Sequence, residues 1–251
     1  MTHEQRLALA RELTARLLAA HGDQALVAVG LLGAVARGDD GEDSDLDVAV
    51  ITAGPDVQVA ERLLRYRDTV VDVSAIPAAS YLEEAGQIGP AWPLAADQYV
   101  NHLPLHDPDG FFHKLRHVHE AAVEQAPPAA FLAAAGHDLA QLLSWEARAR
   151  AALAADPAAA AVAVKEAAVL AALAVGLLTR TAYRDLAHAL RSTAATEAVP
   201  GGFAAAYRAL LDPATGVAAQ VEQLGRATGE LAALARDRGV PFEAADLDAF
   251  F

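Results

Sequence analysis

An α/β domain with a small mixed sheet and flanking helices, followed by an all-α helical bundle, is the architecture this sequence predicts. Three observations carry that expectation. Short apolar runs of strand length recur in the first 127 residues, interleaved with helical periodicity and turn residues. Two consecutive prolines, Pro127-Pro128, then stop the preceding helix. Everything beyond them is rich in alanine and leucine at helical spacing. The expected domains are residues 1–127 and 128–251.

The first element is an amphipathic helix over residues 3 to 20, with Leu7, Ala10, Leu13, Leu17 and Leu18 on its apolar stripe and Gly22 to end it. Ala25 to Leu32 is a continuous apolar run, which suits a strand buried on both faces. Gly33 then opens a short helix, and the loop Asp39-Asp40-Gly41-Glu42-Asp43 leads into a second strand. Residues 57 to 66 carry helical periodicity, and Thr69 to Ile76 supply a third strand. This β-α-β-α-β order predicts a small sheet covered by helices. A last strand is expected near Tyr99 to Leu105, closing at the turn His106-Asp107-Pro108-Asp109-Gly110. Beyond the prolines, helices are expected at 129–154 and 158–178. Between them stands Asp156-Pro157, an N-cap aspartate with proline at the first helical position. Three more are expected near 182–195, 202–211 and 214–238, broken by Pro200-Gly201-Gly202 and Asp212-Pro213.

The chemistry concentrates in Gly33-Ala34-Val35-Ala36-Arg37-Gly38, followed by Ser44-Asp45-Leu46-Asp47-Val48-Ala49-Val50-Ile51. Side chains alternate along a strand, so Asp45 and Asp47 share one face while Leu46, Val48 and Val50 point into a core. Two neighbouring carboxylates repel unless a cation sits between them, which suits a hard divalent metal such as magnesium. The turn just upstream offers unpaired backbone N–H groups to phosphate oxygens. Metal plus phosphate cradle points to nucleotide chemistry. Asp72, facing opposite to Val71 and Val73, adds a third acidic candidate.

At these residues the chain resembles the nucleotidyltransferases of the DNA polymerase beta superfamily. More specifically it is similar to the antibiotic nucleotidyltransferase branch, which often has Gly-Ser-x-Ala-x-Gly before Ser-Asp-[Ile/Leu]-Asp. Gly33, Ala36, Gly38, Ser44, Asp45, Leu46 and Asp47 match; Ala34 stands where the family has serine. The resemblance implies that Asp45, Asp47 and Asp72 bind two magnesium ions, with Asp72 as third ligand or general base. It also implies that Gly33, Ala34 and Ser44 hold the nucleotide. Read from the residues alone, Arg37, three positions past the turn, could reach a phosphate, and Lys165, at a charged break in an apolar helix of the second domain, could meet one across the cleft, with a solvated helix face as the alternative. The missing hydroxyl at Ala34 implies a weaker grip on phosphate. The expected reaction is transfer of AMP from ATP to a hydroxyl of a small acceptor, with release of pyrophosphate. An aminoglycoside-like antibiotic is the leading acceptor, and antibiotic resistance the expected consequence. Two alternatives stay open: adenylylation of a protein partner, as antitoxin-like relatives do, and a catalytically silent nucleotide- or drug-binding module.

Composition narrows the partners. The chain carries a formal charge of −14, with 20 acidic and 9 basic side chains in residues 1–127 against 13 and 10 in the rest. A nucleic-acid partner is not expected, since phosphate backbones are held by the Lys and Arg this chain lacks. A cationic acceptor fits the field of an acidic catalytic half. With no cysteine there is neither a disulfide nor a thiolate nucleophile. The N-terminus shows no signal core, and no membrane span is expected; a cytoplasmic protein is the expectation. His113, His117 and Glu120 share a helix face but lack the zincin pattern, so a polar face accounts for them. Trp92 and Trp145 suit core or interface positions better than base stacking.

Overall fold

The computed structural model describes residues 1–243. They fall into two compact units: Met1–Gln87 with Ala96–Gln125, and Ile88–Ala95 with the chain from Ala126 onward.

The first unit opens with α1 (His3–His21), started by a capping box in which the Thr2 hydroxyl accepts from the Gln5 N–H and the Gln5 side chain accepts from the Thr2 N–H. Gly22, at φ 80°, ends it. There follow β1 (Leu26–Leu31), α2 (Gly33–Arg37), β2 (Leu46–Thr52), β3 (Arg62–Tyr66), β4 (Thr69–Pro77), α3 (Ala78–Ala85), α4 (Trp92–Val100), β5 (Leu103–His106) and α5 (Phe111–Gln125). The strands form one mixed sheet in the order β3-β4-β2-β1-β5. Only the β2–β4 pair is parallel. One face of that sheet carries the core. Val29 and Leu31 of β1, Leu46, Val48 and Val50 of β2, and Val71 and Val73 of β4 meet the leucine stripe of α1 there. The alternation foreseen for β2 is the one observed, because a one-residue slip would turn every one of these side chains away from the core.

Two expectations for this half need correction. Residues 57 to 66 form no helix: Arg62–Tyr66 is the strand β3, joined to β4 by the turn Arg67-Asp68 in an antiparallel hairpin. The segment Arg62-Leu63-Leu64-Arg65-Tyr66 fits either period over so short a span, and pairing with β4 decides it. The strand expected near Tyr99 to Leu105 is shorter and later, because α4 runs on through Val100 before β5 starts.

The second unit holds α6 (Pro128–Ala152), α7 (Pro157–Thr179), α8 (Leu186–Thr193), α9 (Gly201–Leu211) and α10 (Val217–Asp237). The Asp156 carboxylate accepts from the Ala159 N–H at 3.0 Å and caps α7 as expected. By length and composition α7 could cross a membrane, but more than half of its apolar stretch is buried in this structure. It packs against α6, α8, α9 and α10. The first turn of α4 belongs to this unit. Trp92 meets the Phe131 ring edge-on at 5.1 Å, and the Tyr183 N–H donates to the Pro93 carbonyl at 2.6 Å.

Candidate active site

Residues Gly33 to Asp47 converge at the start of β2. The Leu32 N–H donates to the Asp47 carbonyl at 3.0 Å, which lays the turn into α2 beside the strand. Gly33 sits at φ 66°, and a Cβ there would collide with Asp47 Oδ2. Both facts call for glycine, so the first residue of the motif is fixed by the close approach of backbone and carboxylate. Gly38, at φ 76°, closes α2 in the left-handed conformation.

The carboxylates follow from sheet geometry. Asp47 and Asp72 are direct register partners on the parallel strands β2 and β4, on the face opposite the valine core. Asp45 lies one step outside β2 and is exposed. Burial first, then the negative charges of Asp45 and Asp72, raise the Asp47 carboxyl to about 6, with the Arg37 guanidinium opposing them. The sheet thus brings three acids into electrostatic contact. Among the described residues, however, no three His, Asp or Glu side chains converge closely enough to hold a metal ion by themselves. The expected three-carboxylate metal site is not drawn together as a closed cage.

The other expected ligands are placed as follows. Ala34 is the second residue of α2, where its backbone N–H has no intrahelical partner. Arg37 ion-pairs with Asp97 on α4 at 2.5 Å and with Asp39 at 3.2 Å, so its guanidinium is engaged with carboxylates rather than presented freely to a phosphate. The Ser44 hydroxyl accepts from the Gly41 N–H at 2.9 Å and shapes the loop. Lys165 is an exposed residue of α7 in the helical unit and is not on the elements that carry the other seven.

Sequence reasoning missed the clamp that holds the loop before Asp45. Arg6, on α1, is 1 % exposed; it donates to Asp40 Oδ2 and to the Glu42 carbonyl, both at 2.8 Å. His3 Nδ1 meets the other Asp40 oxygen at 2.5 Å. Burial alone would raise the Asp40 carboxyl, but the hydrogen bonds from His3 and Arg6 outweigh it and hold the group below its ordinary range. An arginine on the apolar side of an N-terminal helix was the one available clue. Asp97, the partner of Arg37, lies 60 residues away in the chain and was equally hidden.

A five-stranded mixed sheet with paired acids at the start of one strand and a glycine turn beside them defines a nucleotidyltransferase-like fold. The solved structure of a nucleotidyltransferase-like protein from Exiguobacterium sibiricum shares it, with a TM-score of 0.52 at 12% identity over 91% of this chain and 75% of that one. In sequence the chain is similar to an aminoglycoside nucleotidyltransferase (4') from Staphylococcus aureus and to another from a Bacillus species. Each is 27% identical over 115 residues, which is 46% of this chain and 45% of the relative. The match thus spans a little under half the length of these relatives. No family model matches the chain.

Proposed function

We propose that this protein is a nucleotidyltransferase that moves AMP from ATP to a hydroxyl of a small cationic acceptor, an aminoglycoside-like antibiotic, and releases pyrophosphate. The observation that carries this reading is Asp47, half-buried between Asp45 and Asp72 with its carboxyl raised to about 6. Clustered negative charge of that kind, only partly offset by the Arg37 guanidinium, suits a site built for a cation, and oxygen donors suit magnesium. Similarity to the aminoglycoside nucleotidyltransferases (4') supports the choice of acceptor.

In this reading Asp45 and Asp47 hold the metal, with Asp72 as a further ligand. When bound, magnesium neutralises the triphosphate and lowers the pKa of the attacking hydroxyl. The backbone N–H groups of Gly33 and Ala34 bind phosphate oxygens, and with no hydroxyl at Ala34 they carry that task alone. Arg37, released from Asp39 or Asp97, adds a charged contact. The acceptor oxygen bonds to the α-phosphorus as the bond to the pyrophosphate oxygen breaks. Asp72 takes the hydroxyl proton if it is not occupied as a ligand. Most of the catalysis is positioning and charge stabilisation.

The test is pyrophosphate release with magnesium and each NTP across a panel of aminoglycosides and other hydroxyl-rich compounds. Release that requires ATP and one acceptor, and that disappears in Asp47→Asn, is the expected result. Equal release by Asp47→Asn would remove the assignment. Silence across the panel, with nucleotide still bound, would leave a protein acceptor or a binding role.

A further inference from the structure

Arg37 brings a positive charge to the acidic site, and carboxylates hold it there. Its guanidinium opposes the neighbouring acids at Asp47. Nη1 donates to Asp97 Oδ2 at 2.5 Å, and Nε donates to Asp39 Oδ1 at 3.2 Å. The two contacts are unequal. Asp39 is two residues away on an exposed part of the chain. Asp97 comes from α4, 60 residues on, and its side chain is 11 % exposed against 14 % for Arg37. The other Asp97 oxygen accepts from the Asn101 side chain at 2.7 Å. Asp97 is therefore a carboxylate held at both oxygens, and its short, partly buried contact is the stronger grip on Arg37. Both side chains belong to the first compact unit, so the pair is internal to it.

We propose that Asp97 is a counter-ion latch: it holds Arg37 in the empty site, the incoming triphosphate takes the guanidinium from it, and Asp97 thereby sets the nucleotide affinity. The latch rests on the nucleotidyltransferase reading above. A guanidinium fork fits phosphate as well as carboxylate, and a triphosphate presents more negative charge than one aspartate. Exchange is therefore favoured once a nucleotide is bound beside Asp47. While Arg37 stays with Asp97 it is withheld from phosphate, so the apparent affinity falls with the share of molecules that are latched. The empty protein gains stability from the same contact. These two effects have opposite signs, which sets the latch apart from an ion pair that only supports the fold. Loss of a merely supporting pair would lower stability and weaken the site together.

The experiment is calorimetric titration of the full chain with α,β-methylene-ATP and magnesium, without an acceptor; the methylene bridge blocks cleavage at the α-phosphorus. Asp97→Asn removes the charge and keeps the shape. It should bind the analogue about fivefold more tightly than wild type, the worth of one modest ion pair, while its urea midpoint falls. Arg37→Gln should bind more weakly than wild type. Adding Asp97→Asn to Arg37→Gln should bring no gain, because the latch acts only through the guanidinium. That comparison separates the latch from plain repulsion between Asp97 and the triphosphate, which would tighten binding with or without Arg37. Unchanged or weaker binding by Asp97→Asn would overturn the latch, and so would a gain that survives in the double variant. Either result leaves the nucleotidyltransferase reading standing. A wild type that binds neither the analogue nor inorganic triphosphate removes that reading and the latch together.

Discussion

Gly33 is the residue where local geometry and chemistry meet. Its left-handed backbone and the Asp47 oxygen against its Cα leave no room for a side chain. Gly33→Ala should therefore cost about 1–2 kcal/mol from the backbone alone, with a further loss as Asp47 is pushed aside. A lower midpoint in urea together with reduced pyrophosphate release would show both effects. Asp138 on α6 makes a different argument. It is 2 % exposed, one carboxylate oxygen has no hydrogen-bond partner among the described residues, and burial raises its carboxyl from 3.8 to about 7. Between those values the folded chain keeps a proton that the unfolded chain releases, so this residue makes stability fall as pH rises through that window. Asp138→Asn should remove that slope and stabilise the protein above pH 7, by on the order of a few kcal/mol. Urea midpoints measured at pH 5 and pH 8 test it; a variant with an unchanged pH slope would contradict the argument.

Elements differ in how far their residues announce them. The paired acids of β2 were legible because strict alternation beside a buried strand admits only one register. The caps of α1 and α7 were equally legible, since Gly22 and Asp156-Pro157 act locally. β3 was not, because its five residues fit a helix as well as a strand and only the Arg67-Asp68 turn and β4 choose between them. The clamp on the loop before Asp45 was hidden for a related reason: it joins residues 34 and 36 positions apart through one buried guanidinium. Removing one partner of a buried pair leaves a charge without its counter-ion. Arg6→Met should accordingly cost about 3 kcal/mol or more, and Asp40→Asn less, because Arg6 keeps its bond to the Glu42 carbonyl. Chemical denaturation of the two variants side by side checks the order. The reverse order would mean that Asp40, with its second contact to His3, is the member that matters.

At the scale of the whole chain, the proline pair foreseen as the boundary does stand beside the junction at Gln125 and Ala126, yet the chain also visits the helical unit earlier, through Ile88–Ala95. No local signal marks that excursion, because Gly89-Pro90 looks like any turn; what commits the segment is distant packing. Trp92 is 5 % exposed against Phe131, Pro93 accepts from the Tyr183 N–H, and Gly176 leaves no room for a side chain beside Pro93 and Tyr183. Those partners all lie beyond residue 126. A fragment of residues 1–127 keeps the entire sheet and α1, but it strands Trp92 without its aromatic neighbour. The fragment should show sheet and helix by circular dichroism while its tryptophan emission lies to the red and is readily quenched by iodide. In the full chain carrying Trp145→Phe, which leaves Trp92 as the sole tryptophan, the emission should be blue and protected. Protected emission from the fragment would mean that the sheet unit alone buries Trp92, and residues 88–95 would then belong with the first 127 residues after all.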